Sequence, residues 1–265
     1  MSDALSTIAL IWRLERRDGV AIGLTSHDRD LVIDGFTYRA APGMTPSAVT
    51  RSADLSADTM EASGALAAAA ISERDLVAGR WDGARIAVRA VDWSDGALVA
   101  DLGEGRIGAV EIGERGFTAE LAGVAQLLDR PVSEATSPEC RAELGDARCR
   151  VAMAGRRRTA RVTATDGAVL TLDHAEPVTN AYGGGTLRWI TGANSGLDAA
   201  IARSAGSTVT LREPPPFAGG DALVLLIEGC DKSIATCAGR FANAANFRGE
   251  PYLPGVDLLT RYPGA

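Results

Sequence analysis

Short apolar runs alternate with turn residues along most of the chain, a pattern typical of antiparallel β-sheet. Asp-Gly occurs five times, at residues 18–19, 34–35, 82–83, 95–96 and 166–167. Because glycine tolerates a positive φ and aspartate binds its own backbone, this pair between apolar runs favours a hairpin. We therefore predict hairpins at residues 18, 34, 95 and 166, and a further one that turns at residues 114–116.

Helical signals are fewer than strand signals. Ser72 and Asp75 predict a capped start for a short helix that ends at Gly79. The apolar spacing from Glu120 to Leu128 also suits a helix, and a third short helix is expected in the second half of residues 52–70.

A stretch rich in Pro, Ser and Thr, "DRPVSEATSPEC", has the composition of a linker. We place a domain boundary there, which gives domains 1–135 and 136–265. In the second domain "GTLRWITG", "STVTLREP" and "DALVLLIEG" are strand candidates, and "EPPPFAGGD" is expected to form a loop. The predicted fold class is mainly β, with two β-rich, barrel- or sandwich-like domains and a few short helices.

The composition narrows the possible function. Hydrophobic residues make up 46% of the 265 residues and charged residues 23%, as expected for a packed globular protein. The net charge of −7 argues against general nucleic-acid binding. We expect the basic run "GRRRTAR" at 155–161 to be an exposed strand edge protected by charge. No apolar run is long enough for a membrane span.

The start of the chain does not resemble a signal peptide, so a soluble protein made in the cytosol is expected. Thiols are kept reduced there, and the four cysteines are expected to be free or metal-bound instead of paired as disulfides.

The four cysteines form two pairs, Cys140 with Cys149 and Cys230 with Cys237. Their sequence surroundings are polar, which is unusual for cysteines that only fill a core. Asp231 or Ser233 is expected to cap a short helix that carries Cys237. The start of that helix would favour the thiolate form of the nearby Cys230.

Four sulfur ligands without histidine would suit tetrahedral zinc or an iron–sulfur cluster. His27 and His174, the only histidines, are expected at turn or surface positions. Zinc, a cluster and unpaired thiols all stay open on spacing alone, although wide spacings suit a large cubane better than one small ion. The basic residues near the cysteines would either offset the negative charge of a cluster or form an ordinary solvated face; they are Arg141, Arg148, Arg150, Lys232 and Arg240.

Enzymatic motifs are missing from the sequence. The glycine-rich stretch "AYGGGTLRWITGANSG" has no Lys-Ser/Thr ending, and Ser195 does not occupy the position of a nucleophile elbow. HExxH does not occur. A hairpin is the preferred interpretation of this stretch, and a hydrolase of unknown substrate stays as the less favoured alternative.

The segment "GCDKSIATCAGRFANAANFRGEPYLPG" resembles the C-terminal signature of tail-hub proteins from long-tailed bacteriophages and gene transfer agents. The matching positions are Gly229, Cys230, Asp231, Lys232, Cys237, Phe241, Asn243, Asn246, Phe247, Arg248, Gly249, Pro254 and Gly255. "CRAELGDARCRV" resembles the first cysteine pair of that family, and "WRLERRDGVAIGLTSHDRDLVIDGFTYRAAPG" resembles its opening.

The resemblance implies a non-enzymatic virion component. Such hubs form homotrimers at the end of the tail tube and adapt the ring of distal tail protein to a central tail-tip or fibre protein, with a tail-associated peptidase as a further partner. Assembly would take place in the host bacterial cytoplasm, before the protein reaches the tail tip of a phage, a gene transfer agent or a prophage remnant. No membrane and no specific nucleic acid is expected as a partner.

The resemblance also implies a cofactor. Related tail-tip proteins of the minor tail protein L type hold a [4Fe–4S] cluster, and the corresponding ligands here are Cys140, Cys149, Cys230 and Cys237. A zinc-stabilised four-cysteine β-domain is the alternative. In the loop "FANAANFRG" asparagine side chains are expected to bind backbone groups while Phe241 and Phe247 pack beneath, although a merely compact surface loop is equally compatible with the sequence.

Overall fold

The computed structural model describes residues 7–41, 45–46, 59–64, 71–113, 116–122 and 133–253. The chain divides into two compact units, Met1–Pro131 and Val132–Ala265. That the chain has two separate domains, 1–135 and 136–265, stays a prediction from the sequence. Strands dominate both units, so the predicted mainly β class with a few short helices is confirmed.

The described residues of the first unit form a nine-stranded sheet in the order β3-β4-β2-β1-β7-β8-β9-β6-β5. Its pairs are antiparallel except for β2 with β4, which run parallel. The strands are β1 (Ile8–Glu15), β2 (Ala21–Thr25), β3 (Leu31–Ile33), β4 (Phe36–Ala40), β5 (Thr45–Pro46), β6 (Thr59–Gly64), β7 (Arg85–Asp92), β8 (Leu98–Gly113) and β9 (Gly116–Ala122).

The predicted hairpins of the first unit are confirmed. Asp18-Gly19 joins β1 to β2, Asp34-Gly35 joins β3 to β4, and Asp95-Gly96 joins β7 to β8. At the second of these turns Asp34 and Gly35 both have positive φ, 52° and 75°, which is the backbone that a tight two-residue hairpin requires. The pairing of β8 with β9 confirms the hairpin at residues 114–116.

Helix α1 (Glu73–Val77) begins and ends where the sequence predicts. The Ser72 hydroxyl accepts the Asp75 N–H at 3.1 Å, and Gly79 follows the helix with a φ of 72°. Because its side chain satisfies one free N–H of the first turn, Ser72 stabilises the helix start.

Two other helix predictions are wrong in the part that the structure describes. Glu120–Ala122 belongs to β9, which pairs with both β6 and β8. Thr59–Gly64 is strand β6. Pairing with distant strands satisfies these backbones, and such tertiary contacts override local helical spacing. The remaining residues of both predicted helices lie outside the described residues.

The core of the first unit lies on one face of the sheet. Trp12 and Leu14 of β1 pack with Ile86 and Val88 of β7 and with Trp81, which follows α1. In β1 the exposed Arg13 stands between the buried Trp12 and Leu14, as expected for a strand with one face toward the core. A second, smaller cluster around Ile11, Tyr38 and Val91 occupies the opposite face.

In the second unit the described residues contain a closed six-stranded barrel of order β10-β11-β14-β13-β12-β15. Trp189, Val162, Leu170, Ile201 and Leu226 fill its interior and are almost completely buried. The strands are β10 (Arg157–Asp166), β11 (Val169–Leu172), β12 (Thr186–Trp189), β13 (Asp198–Ala205), β14 (Thr208–Leu211) and β15 (Leu223–Ile227).

The barrel confirms the hairpin at Asp166-Gly167 and the three predicted strands, which are β12, β14 and β15. "EPPPFAGGD" is a loop, as predicted. The first half of β10, Arg157–Arg161, pairs with β15, whereas β11 pairs only with the second half of that strand, from Val162 onward. Arg157 and Arg158 are exposed. The interpretation of 155–161 as an exposed strand edge protected by charge therefore stays a prediction.

After β15 the chain forms helix α2 (Ile234–Gly239) and a short 3₁₀ helix (Ala244–Asn246). Residues 133–156, which precede the barrel, contain turns and bends without a described helix or strand. Among the described helices none is long and apolar enough to cross a membrane.

Candidate functional site: the four-cysteine loops

The two cysteine-bearing segments, which lie about 90 residues apart in sequence, bind each other through their backbones. The Cys140 N–H donates to the Lys232 carbonyl at 2.9 Å, and the Arg141 N–H donates to the Arg248 carbonyl at 3.0 Å. These bonds bring the first cysteine pair beside the second. The backbone therefore holds the two cysteine-bearing segments side by side, and the four-cysteine ligand set that the resemblance implies stays a prediction.

Side chains reinforce the contact between the segments. The Arg141 guanidinium donates two parallel hydrogen bonds to the Glu250 carboxylate, at 2.7 and 2.8 Å. The same carboxylate accepts the Ser137 N–H at 2.9 Å. Paired donors of this kind impose a definite geometry as well as adding energy. Arg141 and Ser137 together lower the pKa of Glu250 to about 2.

Cys149 is positioned by Asp146 and Asn243. The Asp146 carboxylate accepts the N–H groups of Cys149, at 2.6 Å, and of Glu143, at 3.0 Å. The Cys149 N–H bond is the largest cause that lowers the pKa of Asp146, although burial opposes it. From the other segment, the Asn243 amide donates to the Cys149 carbonyl at 2.6 Å. One asparagine of the signature therefore holds the loop of the first cysteine pair.

Cys237 lies within helix α2, four residues after the N-cap. Ser233 is the N-cap and accepts the Thr236 N–H at 3.1 Å, which confirms one of the two predicted caps. Asp231 supports the same turn, because its carboxylate accepts the Ser233 N–H and the Thr236 hydroxyl. Cys237 is 6% exposed and lies on the buried side of this helix.

Three of the four sulfurs accept hydrogen bonds from N–H groups. The Lys232 N–H lies 3.4 Å from the Cys230 sulfur, and the Arg248 N–H lies 3.3 Å from the Cys140 sulfur. The Asn243 amide lies 3.7 Å from the Cys149 sulfur. Hydrogen bonds to sulfur favour the charged thiolate and tune the electronic properties of sulfur-bound cofactors.

The thiols influence one another electrostatically. Burial raises the pKa of Cys237 first, and Cys230, Cys140 and Cys149 raise it further. Burial also raises the pKa of Cys230, although the Lys232 N–H acts in the opposite direction. The N–H donor beside Cys230 therefore favours the thiolate, as expected, but burial is the larger effect and raises the pKa of Cys230 overall. Burial and the neighbouring cysteines together therefore disfavour the charged form of Cys237.

The described residues contain no group of three or more His, Cys, Asp or Glu side chains arranged to hold a metal ion. Tetrahedral zinc bound by four sulfurs would bring those sulfurs to within about 3.8 Å of each other, given Zn–S bonds of about 2.3 Å. The cysteines are thus neighbours but do not surround a single ion. A cluster holds its ligands farther apart, because irons and sulfides lie between them.

The basic residues near the cysteines are mostly engaged by carboxylates. Arg141 and Arg148 both pair with Glu134, and the Lys232 ammonium contacts Glu143 at 3.0 Å. Lys232 also donates to the Ala142 carbonyl at 2.6 Å and so links the two segments. Arg240 pairs with Glu228, and Arg150 donates to the Ala147 carbonyl. Their main role in this structure is to join loops.

One group that the sequence did not indicate lies at the base of the barrel. The Glu228 carboxylate, 9% exposed, accepts a hydrogen bond at 2.7 Å from each of Arg156 and Arg240. Both guanidinium groups also lie over the Phe241 ring, 4.9 and 4.7 Å from its centroid. We call these four residues the arginine clamp. It connects the last barrel strand to the cysteine loops.

The predicted role of "FANAANFRG" is confirmed for Asn243, whose amide binds the backbone at Cys149. Asn246 instead donates to the side-chain oxygen of Asn243 at 2.7 Å. Phe241 belongs to the arginine clamp and Phe247 is half-buried. Pro254 and Gly255 of the signature lie outside the described residues.

The other residues singled out in the sequence lie elsewhere. The His27 ring contacts Trp93, with 5.1 Å between centroids, and His174 lies 3.4 Å from an Arg158 nitrogen. Ser195 donates its hydroxyl to the Ile190 carbonyl in the turn between β12 and β13. This bond gives Ser195 a structural partner in a hairpin, as the sequence predicted for this stretch.

Comparison with known proteins decides the family. The family model for "Baseplate hub protein, N-terminal attachment domain" matches residues 1–152, more than half of the chain. The chain belongs to this baseplate hub family. A second family model, "Phage conserved hypothetical protein BR0599", matches residues 180–257. The first match contains Cys140 and Cys149, and the second contains Cys230 and Cys237.

A solved structure supports the same assignment for the hub chain. A chain from the "Virion of native gene transfer agent (GTA) particle" is 37% identical, with a TM-score of 0.84 over 98% of this chain and 92% of that one. No curated protein sequence matches. The hub is therefore a structural component of a phage-like tail or baseplate.

Proposed function

We propose that this hub is the trimeric adaptor that joins the distal tail ring to a central tail-tip or fibre protein, and that a [4Fe–4S] cluster stabilises it. A tail-associated peptidase is a further neighbour in this proposal. Membership of the baseplate hub family and the likeness to a chain of a gene transfer agent virion support the adaptor role. The convergence of the two cysteine segments is the observation that carries the cluster proposal.

Cys140, Cys149, Cys230 and Cys237 would hold the cluster. Their donor chemistry fits, because four thiols without histidine are the ligand set of an iron–sulfur cube. The N–H groups of Lys232 and Arg248 supply hydrogen bonds to two of these sulfurs. A bound cluster would supply positive charge that offsets the mutual repulsion of the four buried thiolates.

The position of the cysteines explains what a cluster would do for the fold. All six barrel strands lie between Cys149 and Cys230, so ligation closes a long loop around the barrel. Closing a long loop reduces the freedom of the unfolded chain and so stabilises the folded one. The role is structural, and no catalytic step is assigned to the site.

The experiment is anaerobic purification followed by an absorption spectrum and analysis of iron, sulfide and zinc. We expect a brown protein with about four irons and four sulfides per chain. The Cys140→Ser variant should lose most of this iron. The control is His174→Ala, which removes a common type of metal ligand that lies outside the cysteine loops, and this variant should retain the iron. Light scattering on the same preparation should give the mass of a trimer.

Colourless protein that carries one zinc per chain would contradict the cluster and support the zinc alternative. Protein without metal would leave four free thiols and would also contradict it. The adaptor role has its own test, which does not depend on the metal analysis. It would be contradicted if the protein stayed a monomer and also failed to bind particles that lack the hub.

A further inference from the structure

Trp93 is a large aromatic residue that the turn of the β7–β8 hairpin presents to solvent. Its side chain is 42% exposed, and Leu98, on the other side of the same turn, is 60% exposed. Tryptophan is enriched among the residues that dominate the binding energy of protein interfaces.

The turn that carries Trp93 is strongly hydrogen-bonded. The Trp93 N–H donates to the Thr7 carbonyl at 2.8 Å, and the Gly96 N–H donates to the Asp92 carbonyl at 2.8 Å. The Asp92 carboxylate accepts both the Ser94 hydroxyl, at 2.6 Å, and the Thr7 hydroxyl, at 2.9 Å. A partner would therefore meet an anchor that is already ordered, which reduces the entropic cost of binding.

Acidic residues border the exposed indole. Asp28, whose side chain is 78% exposed, follows His27, and the His27 ring contacts Trp93. Asp95 is exposed two residues after Trp93. Arg29, also exposed, follows Asp28, and its backbone N–H donates to the His27 ring at 3.1 Å. We call Trp93, Leu98, His27, Asp28 and Asp95 the Trp93 surface.

The first unit as a whole is negatively charged, like the border of the Trp93 surface. Residues 1–131 contain 20 acidic and 13 basic residues, so this unit carries the entire net charge of −7, whereas residues 132–265 contain 14 of each. A surface that is apolar at its centre and acidic at its border is complementary to a protein with an apolar pocket surrounded by Lys and Arg. The same charge opposes binding of DNA.

We propose that the Trp93 surface docks on a basic face of the protein at the end of the tail tube, with the indole inserted in an apolar pocket. This inference rests on the proposed adaptor function and assigns the contact to particular residues. Leu98 would add apolar area beside the indole. Asp28 and Asp95 would pair with the partner's cations and speed the encounter.

The test uses particles from a producer strain that lacks this gene, to which purified hub is added. Bound hub is measured after sedimentation over a range of hub concentrations. Trp93→Ala should weaken binding at least tenfold, because central tryptophans commonly cost that much or more when truncated. Asp28→Asn with Asp95→Asn should weaken binding by a smaller factor and should also reduce its dependence on salt.

Matched controls are available elsewhere on the chain. Val77, 73% exposed in the same unit, and Tyr252, 89% exposed in the other, are replaced by Ala and should bind like the wild type. Asp221→Asn is the charge control, since Asp221 has a φ of 58° that Asn tolerates. Circular dichroism checks that each variant is folded, and Leu98→Gln provides a second variant of the surface should Trp93→Ala unfold.

The outcomes separate this inference from the proposed function. Wild-type hub that fails to bind the particles would overturn both. If the wild type binds and the folded variants of the Trp93 surface bind equally well, the adaptor function stands and only the assignment of the contact to the Trp93 surface is wrong. If Trp93→Ala dissociates the hub oligomer but leaves particle binding unchanged, the occupant is a second copy of this chain and the proposal is also wrong.

Discussion

Glu250 makes a contact whose strength depends on pH. Arg141 and Ser137 hold its pKa at about 2, against an ordinary value of 4.5. A carboxyl group with a lowered pKa stabilises the fold above its unfolded pKa, and that stabilisation is lost as pH falls through the folded value. The contact between the two cysteine segments should therefore weaken between about pH 4.5 and pH 2.

Glu250→Gln tests this pH dependence. The variant keeps a similar shape but cannot carry the charge, so it should be less stable than the wild type at pH 7. The difference should shrink below pH 4.5 and be largely lost only below the folded pKa of about 2, which urea unfolding at a series of pH values measures. Glu213→Gln is the control, since the described residues give that exposed carboxylate no ion pair. A difference that stays constant with pH would contradict the prediction.

Gly229 marks a close crossing between elements, where the end of β15 passes the chain that leads into β12. A Cβ on Gly229 would lie 2.1 Å from the Gly185 nitrogen and 2.2 Å from the Gly183 carbonyl oxygen. Because these neighbours are backbone atoms, they cannot move aside without disturbing the barrel. The glycine run before β12 and the first glycine of the signature are thus parts of one packing contact.

Gly229→Ala should therefore lower the free energy of unfolding by about 3 kcal/mol or prevent folding, as overpacking of a tight site does. Gly220→Ala is the matched control, because a Cβ there would meet nothing within 4 Å. We expect that control to stay within about 0.5 kcal/mol of the wild type in denaturant unfolding. Equal stability of the two variants would show that the crossing is looser than described.

Local signals in the sequence predicted the elements that depend on neighbouring residues. The Asp-Gly hairpins follow from the positive φ of glycine, and α1 follows from the Ser72 side chain. β13 was missed, because "DAAIARSA" has small residues and little apolar alternation, and its place is set by pairing with β12 and β14. The turn residues were informative because their conformations are local, whereas strand pairing is not.

The candidate site depended on a different kind of information. The spacing of the cysteines did not predict that the two pairs belong to one site. That prediction came from the resemblance of the surrounding residues to the family signature. The roles of Asn243 and Glu250 follow from contacts across about 100 residues, which no periodicity reveals. The arginine clamp was missed for the same reason, since Arg156 and Glu228 stand at opposite ends of the barrel sequence.

The whole chain combines an acidic sheet unit with a barrel whose ends meet at the cysteine loops. If a cluster joins Cys149 to Cys230, it closes a loop of about 80 residues, worth about 4 kcal/mol in chain-entropy terms. Removal of the iron would then destabilise the barrel without acting directly on the nine-stranded sheet, because all four ligands belong to the second unit.

Hydrogen exchange measured by mass spectrometry before and after iron chelation tests this asymmetry. Amides of β10 and β15, which exchange only when the barrel opens, should exchange hundreds of times faster after chelation, as about 4 kcal/mol implies. Amides of β1 and β7 serve as the internal control and should change little. A hub in which Cys140, Cys149, Cys230 and Cys237 are all replaced by Ser should show the faster barrel exchange before chelation, with no further change afterwards. Equal acceleration in the sheet and the barrel would mean that iron stabilises the chain by some route other than closing the loop around the barrel.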